Sequence, residues 1–408
     1  MRNMTLPGFL HRNAPWLAAG GLLTFLSSFG QTFFISIFAG EIRAEFGLGH
    51  GHWGGIYSLG TAISAVVMIW AGGLTDLFRV RVLGPMVLVG LALACVAMAL
   101  NHTVWLLPVI IFSLRLFGQG MCSHLAVVAM ARWFQATRGR ALSIATLGFA
   151  VGEATLPIIF VALMARTDWH LLWLIAAGTC LIGVPVLMRL LGQECTPQSM
   201  AEESSATGMQ GRHWTRRETL LHPLFWMMVP AMLGPAAFNT AFFFHQVHFA
   251  EIKGWDHVEL VAFFPIYTLI GIGAMVASGW ALDRWGTARL MPFYQLPMVV
   301  SFVAFSLAGG PVGALVGFLF LALTTGSNST LPNAFWAEFY GTAHIGAIKA
   351  MAAAVMVFGS AIGPGITGLL IDFGIGLERQ FIGIAIYFLF TTLMSCLGIR
   401  RAKQDLAG

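Results

Sequence analysis

The chain has 408 residues, of which 58% are hydrophobic and only 10% charged, with a formal net charge of +5. A water-soluble domain carries about 25% charged residues, so this composition excludes a soluble globule and predicts a polytopic membrane protein. The positive balance invites a nucleic-acid partner, and the placement of the basic residues along the chain argues against one.

A helix needs about 20 apolar residues to cross about 30 Å of hydrocarbon, and such runs predict twelve helices. Six lie near 15–39, 52–75, 82–101, 103–131, 139–164 and 168–190. Six more lie near 223–249, 258–281, 288–308, 311–333, 344–371 and 377–399. The first run is too long, and too polar at its end, for a removable signal peptide, so it is kept as a helix. Between the two sets runs the one long polar segment, whose Glu202, Glu203, Ser204, Ser205 and Gly208 are linker chemistry. The expected organisation is an N-terminal six-helix bundle (1–191), a cytoplasmic linker (192–222) and a C-terminal six-helix bundle (223–408).

With the N-terminus placed in the cytoplasm, 17 of the 22 Lys and Arg residues fall on or near that side. Arg43, Arg166, Lys253 and Arg379 fall outside, and Arg115 lies within a helix. This is the positive-inside bias of polytopic proteins, so the excess charge reflects topology and both termini are expected to be cytoplasmic. Cys95, Cys122, Cys180, Cys195 and Cys396 are scattered without metal-ligand or redox spacing and read as packing residues.

The halves repeat at an offset of 207 residues. Gly47 pairs with Gly254, Gly72 with Gly279, Asp76 with Asp283, Gly139 with Gly346, Gly152 with Gly359 and Pro157 with Pro364. A constant register over this length predicts two bundles related by a two-fold axis along the membrane normal. One position breaks the repeat: Glu153 is matched by Ser360.

After the second helix, GGLTDLFRVR (72–81) has a partner in GWALDRWGTAR (279–289). Each places small residues, an acid and then arginines where the chain leaves the membrane, so Asp76, Arg79, Asp283 and Arg284 are candidate gating residues. The alternative is a pair of solvated turns. These loops, the six-plus-six arrangement and RWFQATRGRALSIATLGFAVGEATLP (132–157) resemble the major facilitator superfamily over essentially the whole chain. Within it, RWF…RGRAL and AEFYG…GPGITGLLIDFG resemble the monocarboxylate and oxalate:formate carrier branch. The resemblance implies an all-α fold of twelve transmembrane helices in two pseudo-symmetric six-helix bundles, working by alternating access. It also implies a cavity lined by the first, fourth, seventh and tenth helices.

Ionisable side chains within a bilayer are costly and are functional candidates by default. Arg115 in the fourth helix and Glu153 in the fifth lie about 24 and 21 Å from their cytoplasmic helix ends, at 1.5 Å per residue. They can meet at one depth, as a proton-coupling pair or as a static pair that locks the two helices. Arg115 also fits the superfamily's pattern of an arginine before a glycine pair (RLFGQG). Gln31 and Thr32 in the first helix and Asn239 and Thr240 in the seventh are candidate substrate hydrogen-bonders, with helix-to-helix contact as the alternative. Gln119, Tyr57, Tyr267 and Asn328 join the binding set, beside Tyr294, Gln295, Thr324, Thr325 and Ser327.

His124 is a second proton candidate. His245 and His248 share one helical face but lack a nearby acid or thiolate, so interfacial hydrogen bonding is preferred and no metal site is expected. Lys349 is expected to snorkel to the headgroups, although the carrier branch uses a lysine in its eleventh helix for anions. No GxxxxGK[ST], GxSxG or HExxH stretch is present, which argues against ATP drive and against an enzyme, and no cofactor is expected.

The sequence thus leads to a secondary transporter for a small organic anion, coupled to protons, with the bilayer as its environment and a complete pathway in each monomer. A proton-driven exporter of drugs or metabolites, with Glu153 as the counter-charge, is the alternative. A receptor or scaffold without flux is the alternative of another class. The expected location is a bacterial inner membrane.

Overall fold

The computed structural model describes residues 6–72, 74–134, 138–192, 207–341 and 344–403. Every regular element among them is helical. Among the described residues nine helices are each long and apolar enough to cross a membrane, and the bent pair Asn13–Gly30 with Thr32–Phe46 is so as well when its two parts are taken together. His50–Ala71 and Leu296–Leu307 complete the twelve expected from the hydropathy pattern.

In chain order the bent pair is the first helix. The second is His50–Ala71, the third Val80–Ala99, the fourth Val104–Met130, the fifth Arg138–Met164 and the sixth Trp169–Leu190. The seventh is Pro223–Phe244, the eighth Phe264–Trp285 and the ninth Leu296–Leu307. The tenth is Pro311–Asn328, the eleventh Ile345–Asp372 and the twelfth Leu377–Lys403.

The chain divides into two units, Met1–Glu202 and Glu203–Gly408. In the first, the first helix packs on the fifth, the second on the fourth and the third on the sixth. In the second, the seventh packs on the eleventh, the eighth on the tenth and the ninth on the twelfth, which is the same pairing advanced by six helices. Without water to drive association, such pairs are held by close van der Waals contact, which small residues permit. A Cβ added at Gly152 would come within 2.1 Å of Ser28 Oγ in the first helix, and one at Gly359 within 2.8 Å of the Leu233 carbonyl in the seventh.

The 207-residue register survives in backbone detail. Ala39–Phe46 ends on Gly47 at φ 63°, and Gln246–Lys253 ends on Gly254 at φ 68°. Both are left-handed caps, which glycine adopts without a Cβ penalty. Pro157 and Pro364 sit inside the fifth and eleventh helices.

The described part of the polar segment is folded onto the second unit. Trp214 is 5% exposed, its backbone N–H donates to the Tyr340 carbonyl at 3.0 Å, and its indole N–H donates to the Met209 carbonyl at 3.1 Å. The Arg212 guanidinium lies 4.2 Å from the Trp214 ring centroid, and Arg216–Leu221 forms a short helix closed by a Thr215–Glu218 capping box. Trp214 and Met209 are apolar anchors inside a stretch whose Gly, Ser and Glu content reads as linker. Residues 193–206 lie outside the described residues.

Candidate functional site

The first helix is not continuous. Ser27–Gly30 tightens into a 3-10 turn, Gln31 is extended at φ −86° and ψ 155°, and the helix restarts at Thr32. The two segments are bent by 46°. An unbroken helix would give the Gly30 carbonyl the N–H of Phe34, but Phe34 donates to Gln31 instead, at 3.2 Å. The Gly30 carbonyl is therefore available inside the bundle, where an unpaired polar group is costly.

Arg115 fills that need from the fourth helix. Its Nη1 donates to the Gly30 carbonyl at 3.3 Å and to Thr32 Oγ1 at 3.2 Å. Thr32 Oγ1 in turn lies 2.6 Å from Tyr57 Oη, and the guanidinium carbon stands 5.5 Å from the Tyr57 ring centroid. A cation beside a helix C-terminus and over an aromatic face is stabilised by both. Arg115 is only 2% exposed, and its Nε is buried with no hydrogen-bond partner. The guanidinium thus keeps donor capacity beyond the bonds that hold it.

The fourth helix adopts a π-helical turn over Arg115–Cys122. Wide turns of this kind re-aim side chains and are common at functional sites. Here the widened stretch meets the broken helix through glycines. A Cβ on Gly30 would stand 2.1 Å from the Leu114 carbonyl, and one on Gly118 would stand 2.5 Å from Gly30 Cα.

The second unit places neutral groups at the equivalent positions. Advancing 207 residues takes Arg115 to Ala322, Thr32 to Asn239, Tyr57 to Phe264 and Gly118 to Thr325. Asn239 Nδ2 donates to Thr325 Oγ1 at 3.2 Å. In the same unit, Gln295 Nε2 donates to the Ala231 carbonyl and, at 2.8 Å, to Tyr294 Oη. Gln295 Oε1 accepts from Thr391 Oγ1 at 2.8 Å, and Tyr294 Oη donates to Asn328 Oδ1 at 3.3 Å. Thr391 had no signal in the sequence, since one threonine in an apolar helix does not announce its partner.

The other expected residues are dispersed. Gln31 is nearly buried at the break itself, and Gln119 is exposed on the widened turn. Thr240 is half-buried beside Asn239, and Tyr267 is buried against Phe243 and Phe318. Among the described residues the guanidinium contacts are Gly30, Thr32 and Tyr57, and Glu153, half-buried on the fifth helix, is not one of them. His124 Nε2 lies 3.3 Å from the Gly72 carbonyl, at the end of the second helix.

The side chains of Asp76 and Asp283 lie outside the described residues. Arg79 is exposed at the start of the third helix, and Arg284 lies over Trp280 at 5.7 Å. His245 bonds the Pro364 carbonyl at 3.1 Å while His248 lies 3.4 Å from Glu251, so the two rings serve different neighbours. Lys349 is exposed at the start of the eleventh helix.

The family model for the Major Facilitator Superfamily matches residues 20–364. Among solved structures, a bacterial homologue of the human lysosomal transporter Spinster, in an inward-facing and unoccupied conformation, superposes with a TM-score of 0.77 at 14% identity, covering 96% of this chain and 98% of that one. The nucleoside transporter NupG superposes with a TM-score of 0.72 at 12% identity, covering 94% and 98%. At these identities the likeness is one of fold. A search of curated proteins returned no match.

Proposed function

This chain belongs to the major facilitator superfamily, a family of transporters, and we propose that it is a proton-coupled secondary carrier of a small organic anion. The observation that carries this reading is Arg115, a buried cation inside a membrane-spanning helix, held by a backbone carbonyl, a hydroxyl and an aromatic face. A guanidinium so held presents its remaining N–H groups in a fixed plane, the geometry that recognises a carboxylate by two parallel bonds.

On this reading the anion takes the free donors of Arg115, while Gln31, Gln119 and Tyr57 of the same unit supply neutral hydrogen bonds or shape; Asn239, Thr240, Tyr267 and Asn328 are the second unit's own candidates for substrate contact. Glu153 is the carboxylate that carries the proton, with His124 as the second group able to do so. An anion and a proton moving together cancel charge in a medium where uncompensated charge is costly. The monocarboxylate-like substrate class follows from the resemblance of residues 131–157 to that carrier branch. The units rock by alternating access, with Asp76, Arg79, Asp283 and Arg284 latching the loops, in a bacterial inner membrane with both termini cytoplasmic.

Uptake into proteoliposomes tests this across monocarboxylates, dicarboxylates, nucleosides and lipophilic cations, with and without an inward proton gradient. The expected result is gradient-driven uptake of a carboxylate that Arg115→Gln abolishes together with binding. A response flat to every anion and to the gradient overturns it. Cation export that survives Arg115→Gln selects the exporter, and binding without flux selects a receptor.

A further inference from the structure

Where the end of the first helix, the connection from third to fourth and the start of the sixth meet, Glu45, His102 and His170 each bring one ligand atom within 4.8 Å of the others. We propose that this cluster binds a divalent transition-metal ion of the Zn2+ class, at a site separate from the Arg115 region. The second unit has no counterpart in register, since Glu45, His102 and His170 become Ile252, Gly309 and Leu377.

The decisive atom is His170 Nε2. Asp168 Oδ1 caps the sixth helix by accepting from the His170 backbone N–H at 2.7 Å, and it also lies 2.7 Å from His170 Nδ1. A carboxylate at Nδ1 holds the ring proton there and leaves the lone pair on Nε2. That nitrogen is buried without a hydrogen-bond partner, 3.3 Å from Glu45 Oε2. With the ring proton on Nδ1, the lone pairs of Nε2 and Oε2 face one another, an arrangement that a cation between them satisfies. A metal ion with nitrogen and oxygen ligands at about 2.0–2.1 Å sets tetrahedral ligands about 3.3 Å apart, which is the spacing of this one pair, His170 Nε2 and Glu45 Oε2.

The third candidate ligand stands close by, within the 4.8 Å that holds the set. His102 Nδ1 stands 3.7 Å from Glu45 Oε1, and the two imidazole centroids are 5.9 Å apart. Glu45 is oriented by the Trp169 indole N–H, which donates to Oε2 at 3.1 Å. His102 is presented by a turn in which Asn101 Oδ1 accepts from the Thr103 backbone N–H at 3.0 Å. Two imidazoles and one carboxylate leave a fourth position open to water. Asp168 plays the part of the carboxylate behind a ligating histidine, which fixes the orientation of the ring. The ion would tie together three segments far apart in sequence.

The test uses Zn2+ itself as the probe, on the full chain in detergent after chelator stripping, titrated in competition with a chromophoric chelator. One Zn2+ per chain is expected, and His102→Ala and His170→Ala are each expected to weaken it by at least about tenfold, with Asp168→Asn weakening it by about tenfold. Zn2+ should raise the thermal midpoint of the wild type and leave that of the double variant unmoved. His102 is 75% exposed, so its removal spares the packing. Equal Zn2+ binding by wild type and the double variant overturns the site. So does wild-type binding too weak to compete with the chelator.

Discussion

Arg115 Nη1 donates to the carbonyl of Gly30, which the break at Gln31 has released from its own helix, at 3.3 Å. The kink and the arginine therefore require each other: the break leaves an acceptor inside the bundle, and the charge needs one. Removing the arginine should cost stability as well as binding. Arg115→Ala leaves the Gly30 carbonyl and Thr32 hydroxyl short of a donor, worth about 1–3 kcal/mol. Arg115→Lys keeps the charge and should recover part of that loss while losing two-point recognition of an anion. Thermal unfolding in detergent, read beside ligand binding, separates the two effects, and an unchanged midpoint in Arg115→Ala would contradict the coupling.

The Gly30–Gly118 contact should tolerate no side chain. Gly30→Ala and Gly118→Ala are each expected to destabilise by about 1–3 kcal/mol, because the first or fourth helix must shift. Gly21→Ala is the matched control, as a Cβ there meets nothing within 4 Å. Equal midpoints for all three variants would refute the close approach.

Tyr57→Phe removes the hydroxyl that meets Thr32 at 2.6 Å and keeps the ring near the guanidinium. The expected loss is about 0.5–1.5 kcal/mol. Tyr57→Leu also removes the aromatic face and should lose more, by about 0.5–2 kcal/mol. Identical losses in the two would show that the ring contributes nothing to holding Arg115.

In the second unit, Thr391→Val keeps the shape and leaves Gln295 Oε1 without the hydroxyl that reaches it at 2.8 Å. Buried and unsatisfied, that oxygen should cost about 1–3 kcal/mol. Thr391→Ser, which restores the donor, should recover most of it, and a Ser variant as unstable as Val would point to lost methyl packing instead.

The linker helix Arg216–Leu221 should fray in acid. Glu218 accepts from the Thr215 backbone N–H at 2.8 Å and from its hydroxyl at 2.7 Å, with Arg212 at 2.9 Å, and these hold its carboxyl below the usual range. A depressed carboxyl stabilises the fold above its unfolded value, and the gain is lost as pH falls through the folded one. Amide exchange of residues 216–221 should accelerate over that window in wild type and be insensitive to pH there in Glu218→Gln. The intrinsic pH dependence of exchange is removed by reference to an unstructured peptide.

Twelve helices, their approximate limits and the duplication were legible in the sequence because each rests on a local property. Hydropathy over about 20 residues marks a crossing, and glycines and prolines at a fixed offset mark caps and close contacts that both units reuse. Arg115 stood out for the same reason, as a charge in a run that should have none. The partners of those residues were not legible. A meeting of Arg115 with Glu153 was possible at one depth provided both face inward, and depth does not say which way a side chain faces.

The break at Gln31 and the π-helical turn at Arg115–Cys122 alter that facing, and neither has a proline to announce it. Likewise the Glu45, His102 and His170 cluster joins two helix ends and a connection that no spacing relates. The sequence by itself determined where the chain crosses the membrane, since each helix must satisfy its own backbone there. The tertiary structure alone decided which polar groups meet, because a buried donor or acceptor is satisfied by whatever the packing of distant helices brings within about 3 Å.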